Sequence, residues 1–161
     1  MNAIIQWIEN YIHGPLLVFV VSMLPIVELR GTIPVGLAMG IDLWHTFFLA
    51  YLGSCLPGPF IILFIRDIFK WLRNFDGWRV WIERLEKKTM ARGDRTRKFG
   101  LIGLFLFVAI PLPGTGVWTG SLLSVLLGFR FLHSVIAVSV GNFVAGLLIL
   151  GLSYGVFHVI G

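Results

Sequence analysis

The chain has 161 residues, with 13 Lys and Arg against 8 Asp and Glu for a net charge of +5, and it is 57% hydrophobic with a mean hydropathy of +0.90. Only 13% of its residues are charged, about half the share of an average soluble domain, which excludes an ordinary water-soluble fold. The positive balance does not point to nucleic acid either, because eleven of the thirteen basic residues crowd between Arg66 and Lys98 instead of being spread over a binding face.

Residues 1–14 place Ile4, Ile5, Trp7, Ile8, Tyr11 and Ile12 on one helical face and Asn2, Gln6, Glu9 and Asn10 on the other, the pattern of a helix lying in the membrane interface. No Lys or Arg precedes Arg30, so this start lacks the basic region of a secretory signal and is expected to be retained. Residues 15–65 are apolar. Within them Trp44 to Ile65 has the length of a full crossing, which takes roughly 20 residues. The stretch before it is interrupted by Pro25, Glu28, Arg30, Gly31 and Pro34. Proline removes a helical hydrogen bond and disfavours helix in the residue before it, so Pro25, Gly31 and Pro34 are the expected breaks of a helical hairpin.

Residues 66–98 form a basic loop with an amphipathic helix, its apolar side marked by Ile68, Phe69, Leu72, Phe75, Trp78, Trp81 and Leu85. Its charge makes it cytoplasmic by the positive-inside rule, with some attraction for anionic lipid head groups. Residues 99–161 repeat the earlier order. A run broken at Pro111, Pro113 and Gly114 is followed by a second full crossing, Leu132 to Phe157, in which Gly141, Gly146, Gly151 and Gly155 would let a neighbouring helix approach closely.

The two halves align at an offset of 88 residues. Leu24-Pro25 then falls on Leu112-Pro113, Gly40 on Gly128, His45 on His133, Gly53 on Gly141 and Gly58 on Gly146, within ten identities over the fifty positions from Leu16 to Ile65. A unit made of a re-entrant hairpin plus one crossing spans the membrane an odd number of times, so its second copy must be inverted. The expected fold is an all-α integral membrane domain over residues 1–161, built from two inverted repeats, each a re-entrant hairpin plus a transmembrane helix, with amphipathic interfacial helices. With the basic loop inside, Asp42 lies outside and its counterpart Arg130 inside, as the positive-inside rule asks. Four complete spans would instead leave both outside, with both termini inside.

A carboxylate or guanidinium near the bilayer centre costs about 2.5–3.5 kcal/mol on insertion scales, so Glu28 and Arg30, with Thr32 beside them, are the leading candidates for substrate binding or proton coupling. Arg30 offers a fork of donors suited to a phosphate or another anion, and a desolvated Glu28 suits a coupling proton. The competing reading is a structural ion pair that closes the hairpin tip. The second hairpin has no charge but supplies Thr115, Thr119 and Ser121, which either complete a cavity or satisfy the broken helix itself. Asn142 in the last crossing is expected to hydrogen-bond across helices, with a place in the substrate-binding or proton-coupling site as the alternative. Cys55 is expected to pack, and His45 and His133 to sit near span ends, where histidine's titration near neutrality would let either join a proton path. No metal-ligand spacing, phosphate loop or nucleophile elbow occurs, so neither a cofactor nor an enzyme is expected.

The second half, from Arg97-Lys98-Phe99-Gly100 through Ile110-Pro111-Leu112-Pro113-Gly114 to the glycine-rich last crossing, resembles the DedA superfamily. Within that group the chain is similar to the small multidrug export proteins. In the first half Pro25, Arg30, Pro34, Ala38 and Gly40 are similar to the superfamily's proline-arginine-proline-alanine-glycine signature. Where DedA proteins usually carry an acidic residue after a proline-glycine tip, this chain has Thr115. The resemblance implies paired re-entrant hairpins, proton-coupled transport or lipid translocation, and a homodimer. The resulting expectation is a transporter in the inner membrane of a prokaryote, moving an anionic amphiphile such as an isoprenoid phosphate lipid by alternating access, with membrane lipids, substrate and protons as its partners. The alternatives are a small exporter of cationic drugs, or a membrane assembly protein that transports nothing.

Overall fold

A computed structural model describes residues 13–160, and among them every regular element is helical. In chain order they are α1 (His13–Ser22), α2 (Glu28–Ala38), α3 (Leu43–Cys55), α4 (Pro57–Leu72), α5 (Asp76–Ala109), α6 (Val117–Leu126) and α7 (Phe131–Ile160). The interfacial helix expected over residues 1–14 falls, but for its last two residues, outside the described part.

The first break lies at residues 23–27, where Pro25 stands. Gly31 and Pro34, expected as further breaks, are inside α2. The reason is local: proline's fixed φ is already close to helical, Gly31 keeps its bond to the Val27 carbonyl at 2.9 Å, and buried Leu29, Ile33 and Gly36 anchor the helix on both sides of the ring. The second break, residues 110–116, contains Pro111, Pro113 and Gly114, and Gly114 takes φ +80. The basic central region is helical over most of its length: α4 continues to Leu72, and α5 starts at Asp76 and kinks at Gly100, whose φ of 57 and ψ of −131 only glycine adopts readily.

α2 and α6 end in the same way. Gly40 N–H bonds to Leu37 O at 3.0 Å and Ile41 N–H to Gly36 O at 3.2 Å; Gly128 N–H bonds to Val125 O at 3.1 Å and Phe129 N–H to Ser124 O at 3.0 Å. Both are Schellman caps, with the two glycines at φ 76 and 71, and every partner in one cap lies 88 residues from its partner in the other. The helix that follows begins directly after Asp42 in one case and directly after Arg130 in the other. The Asp42 carboxylate accepts from the amides of Trp44 and His45, closing the first turn of α3.

The chain divides into two compact units. One comprises the segment up to Leu56 and the segment from Asn142 onward; the other is Pro57–Gly141. The first unit has Val18, Leu29, Ile33, Phe47 and Ala50 at its core. In it Gly53 lies against the Phe19 carbonyl and the Ser22 hydroxyl, and Gly146 against Phe47 and Leu29. The second has Leu104, Val108, Val117 and Val138 at its core. There Gly141 lies against the Phe105 carbonyl, Gly58 against Val117, and Gly120 against Val108. Arg66 on α4 donates to the carbonyl of Phe129 just beyond α6, placing a cation at a helix C-terminus.

What is buried and what is exposed identifies the solvent. Ser22, Thr32, Thr46, Ser54, Ser121, Ser124, Ser134 and Asn142 are buried, while Trp44, Phe48, Leu52, Phe60 and Phe64 on α3 and α4 and Leu132, Ile136, Val140, Leu147 and Leu148 on α7 are exposed. A water-soluble protein arranges these residue types the other way round. Small and polar residues between helices with large apolar ones outside is the pattern of helices in lipid. The segments Leu43–Leu72 and Phe131–Val156 are long and apolar enough to cross a membrane.

Candidate functional site

Glu28 is the first residue of α2 and is buried, at 7% exposure, in the first unit. It is also the one non-glycine residue with positive φ, at 46, among the described residues. A left-handed backbone at a side-chain-bearing residue costs about 1–2 kcal/mol, and such strain collects at functional sites. Its amide still bonds to Leu24 O at 3.0 Å, carrying the chain across the break, and its carbonyl accepts the Thr32 hydroxyl at 2.5 Å.

Arg30 is half-buried on the same first turn, and the charges of Glu28 and Arg30 act on each other. Residues two apart on a regular helix do not face each other; the left-handed turn at Glu28 is where regular geometry is abandoned. Pro34 has no N–H to offer the Arg30 carbonyl four residues earlier. Glu28, Thr32 and Gly36 recur every four residues and so share one side of α2, where a Cβ on Gly36 would stand 2.5 Å from Thr46 Cγ2 on α3. The structure therefore brings Glu28, Arg30 and Thr32 together.

Asn142 belongs to the same unit. Its amide donates to Ser54 Oγ at 2.7 Å and to Cys55 Sγ at 3.3 Å, and both bonds are sheltered. Cys55, expected only to pack, is thus a hydrogen-bond acceptor, and Ser54 was not singled out by sequence reasoning. The signal was there: Ser54 and Asn142 follow Gly53 and Gly141, a pair that aligns at the 88-residue offset, so residues of equal rank in the two halves bond to each other.

Thr115, Thr119 and Ser121 belong to the second unit. The Thr115 hydroxyl donates to the carbonyls of Ile110 and Leu112 at 2.8 and 2.9 Å, and Thr119 Oγ1 accepts the amide of Gly116 at 2.9 Å. Of the two roles open to them, these bonds satisfy the broken helix itself. Ser121 differs: it is fully buried, its Oγ has no hydrogen-bond partner among the described residues, and it lies beside Gly58.

His45 is exposed and its Nδ1 lies 3.1 Å from the Asp42 carboxylate. That bond, with those from the His45 and Trp44 amides, holds the Asp42 carboxyl below its ordinary range. His133 is exposed. No cluster of three or more His, Cys, Asp or Glu suited to a metal ion occurs among the described residues.

Residues 28–148 match the profile of the family described as "Putative small multi-drug export protein". The match covers three quarters of the chain and starts at Glu28 itself. The chain belongs to that family. No curated protein and no solved structure matches it. For a small multidrug export protein, the matched region takes in Glu28, Arg30, both glycine caps and the Ser54–Asn142 bond, and leaves out α1 and the last turns of α7.

Proposed function

We propose that the chain is a proton-coupled exporter of small amphiphilic molecules in the inner membrane of a prokaryote, a carrier and not an enzyme, in which Glu28 takes up and releases the coupling proton. The observation that carries this reading is the placement of Glu28: a carboxylate buried in an apolar unit on a left-handed backbone beside Arg30. An intramembrane carboxylate that costs the fold this much, by burial and by strain, is suited to a step in which its charge changes. Membership of the export family supports the transport class.

The architecture proposed with it is the DedA-like pair of inverted repeats, each a re-entrant hairpin with one crossing, working by alternating access as a homodimer. The matched caps at Gly40 and Gly128 support a repeat, and the change from Asp42 to Arg130 at equal rank supports its inversion, with the basic central region cytoplasmic. A second reading, an anionic amphiphile such as an isoprenoid phosphate as substrate, is favoured by Arg30, whose guanidinium stands on the first turn of α2.

The test is transport into proteoliposomes under an imposed pH gradient, with a cationic dye and a labelled isoprenoid phosphate as parallel probes. Glu28→Gln is expected to reduce movement of the true substrate at least tenfold. Wild-type rates in Glu28→Gln and Arg30→Ala, with normal expression, would sink the reading. Retained function in the exchanged pair Glu28→Arg, Arg30→Glu would indicate a structural lock in a non-transporting assembly protein.

A further inference from the structure

Away from Glu28, the first unit has a groove of about 840 Å³, inside the range of about 300–1,000 Å³ usual for small-molecule sites. It is lined by His13 and Leu17 of α1, Met39 and Asp42 of the connection between α2 and α3, and His45 and Leu49 of α3. Its lining combines the aliphatic Leu17, Met39 and Leu49 with the Asp42–His45 pair, whose side chains lie 3.1 Å apart, the mixture that binds an apolar body and orients one polar head.

The sign of that head follows from the lining. Among the described residues that line it, Asp42 is the one carboxylate, and neither Lys nor Arg occurs. The bonds from the His45 ring and from two helix amides favour the carboxylate form. We propose that this groove is a binding site for lipophilic cations, with the charge set against Asp42 and the body over Leu17, Met39 and Leu49. As a station on a substrate's route it rests on the export reading; as a binding site it does not.

The experiment is equilibrium binding of tetraphenylphosphonium to the full-length protein in detergent, with tetraphenylborate, of the same shape and opposite charge, as the paired probe. Asp42→Asn is the decisive variant, because asparagine caps a helix as well as aspartate does and removes only the charge. With the carboxylate 62% exposed and its field screened accordingly, cation affinity is expected to fall about tenfold. Leu49→Trp, which adds bulk to the lining, is expected to weaken binding comparably. Unchanged affinity in Asp42→Asn, equal binding of the anion, or a loss in Glu28→Gln as large as that in Asp42→Asn would each overturn the site. Asp42-dependent binding in a protein that moves no probe across proteoliposomes would keep the site and defeat the export reading; transport that ignores Asp42 would do the reverse.

Discussion

Asn142 donates one amide to two acceptors on α3, and its hydrogen bond to Ser54 is buried. Interhelical bonds in lipid average about 0.6 kcal/mol in double-mutant cycles and reach about 1.7. A cycle of Asn142→Ala with Ser54→Ala, read by thermal unfolding in detergent, is expected to give a coupling energy of about 1 kcal/mol. Additivity of the two single variants would mean the bond contributes nothing. Asp42 offers a second residue-level test. Its carboxyl is held below the ordinary range mainly by the His45 side chain, so it binds a proton more readily unfolded than folded. Its contribution to stability is then complete above the ordinary aspartate range, near pH 4, and disappears as pH falls through the lower native value. Melting temperatures below pH 4 are expected to drop more steeply for the wild type than for Asp42→Asn. Glu28 and Arg30 were legible from sequence as charges in an apolar run; the left-handed backbone at Glu28 was not, because glutamate is not among the residue types, glycine and asparagine foremost, that advertise that conformation.

Among the elements, glycine carries two different jobs that the sequence does not tell apart. Gly40 and Gly128 have open space where a Cβ would go, yet both sit in the left-handed region. Gly40→Ala and Gly128→Ala are therefore expected to cost about 1–2 kcal/mol each through backbone strain alone, and Asn at either site less. Gly53 is not in that region but lies against the Phe19 carbonyl, a backbone atom that cannot move aside, so Gly53→Ala is expected to cost more than about 2 kcal/mol. On α7, a Cβ on Gly141 would meet the Phe105 carbonyl at 2.8 Å and one on Gly146 the Phe47 ring at 2.8 Å, but Gly151 and Gly155 meet nothing among the described residues. Close approach, expected of all four, holds for two, and Gly151→Ala is expected to be neutral or to stabilise by up to about 1 kcal/mol. Similar thermal midpoints for Gly53→Ala and Gly151→Ala would refute the distinction. The same limit explains the breaks: Pro25 ends a helix and Pro34 does not, although sequence treats them alike, because buried neighbours hold α2 together on both sides of Pro34.

At the scale of the whole molecule, the described residues form helices with two segments long and apolar enough to cross a membrane, Leu43–Leu72 and Phe131–Val156, and the sidedness of the ends of those helices, on which the proposed hairpins and their inversion depend, is the property left to measure. Asp42 and Arg130 hold the same position, one residue before the first turn of α3 and of α7. Aspartate suits that position by capping amides and by the sign of the helix dipole; arginine suits it on neither count. Local stability therefore does not account for Arg130; in the proposed inverted topology, retention of a positive charge on the cytoplasmic side does. In a background of Cys55→Ala, single cysteines at positions 42 and 130 are expected to react with a membrane-impermeant reagent from opposite faces, position 42 from outside intact cells and position 130 only after the inner face is opened. Labelling of both from outside would establish four complete spans and remove the inverted repeat. Replacing Arg130 by Asp restores a helix cap while removing the charge, so it is expected to raise the thermal midpoint in detergent and to scramble the orientation of position 130 in cells, two effects that a purely structural role for Arg130 would not produce together.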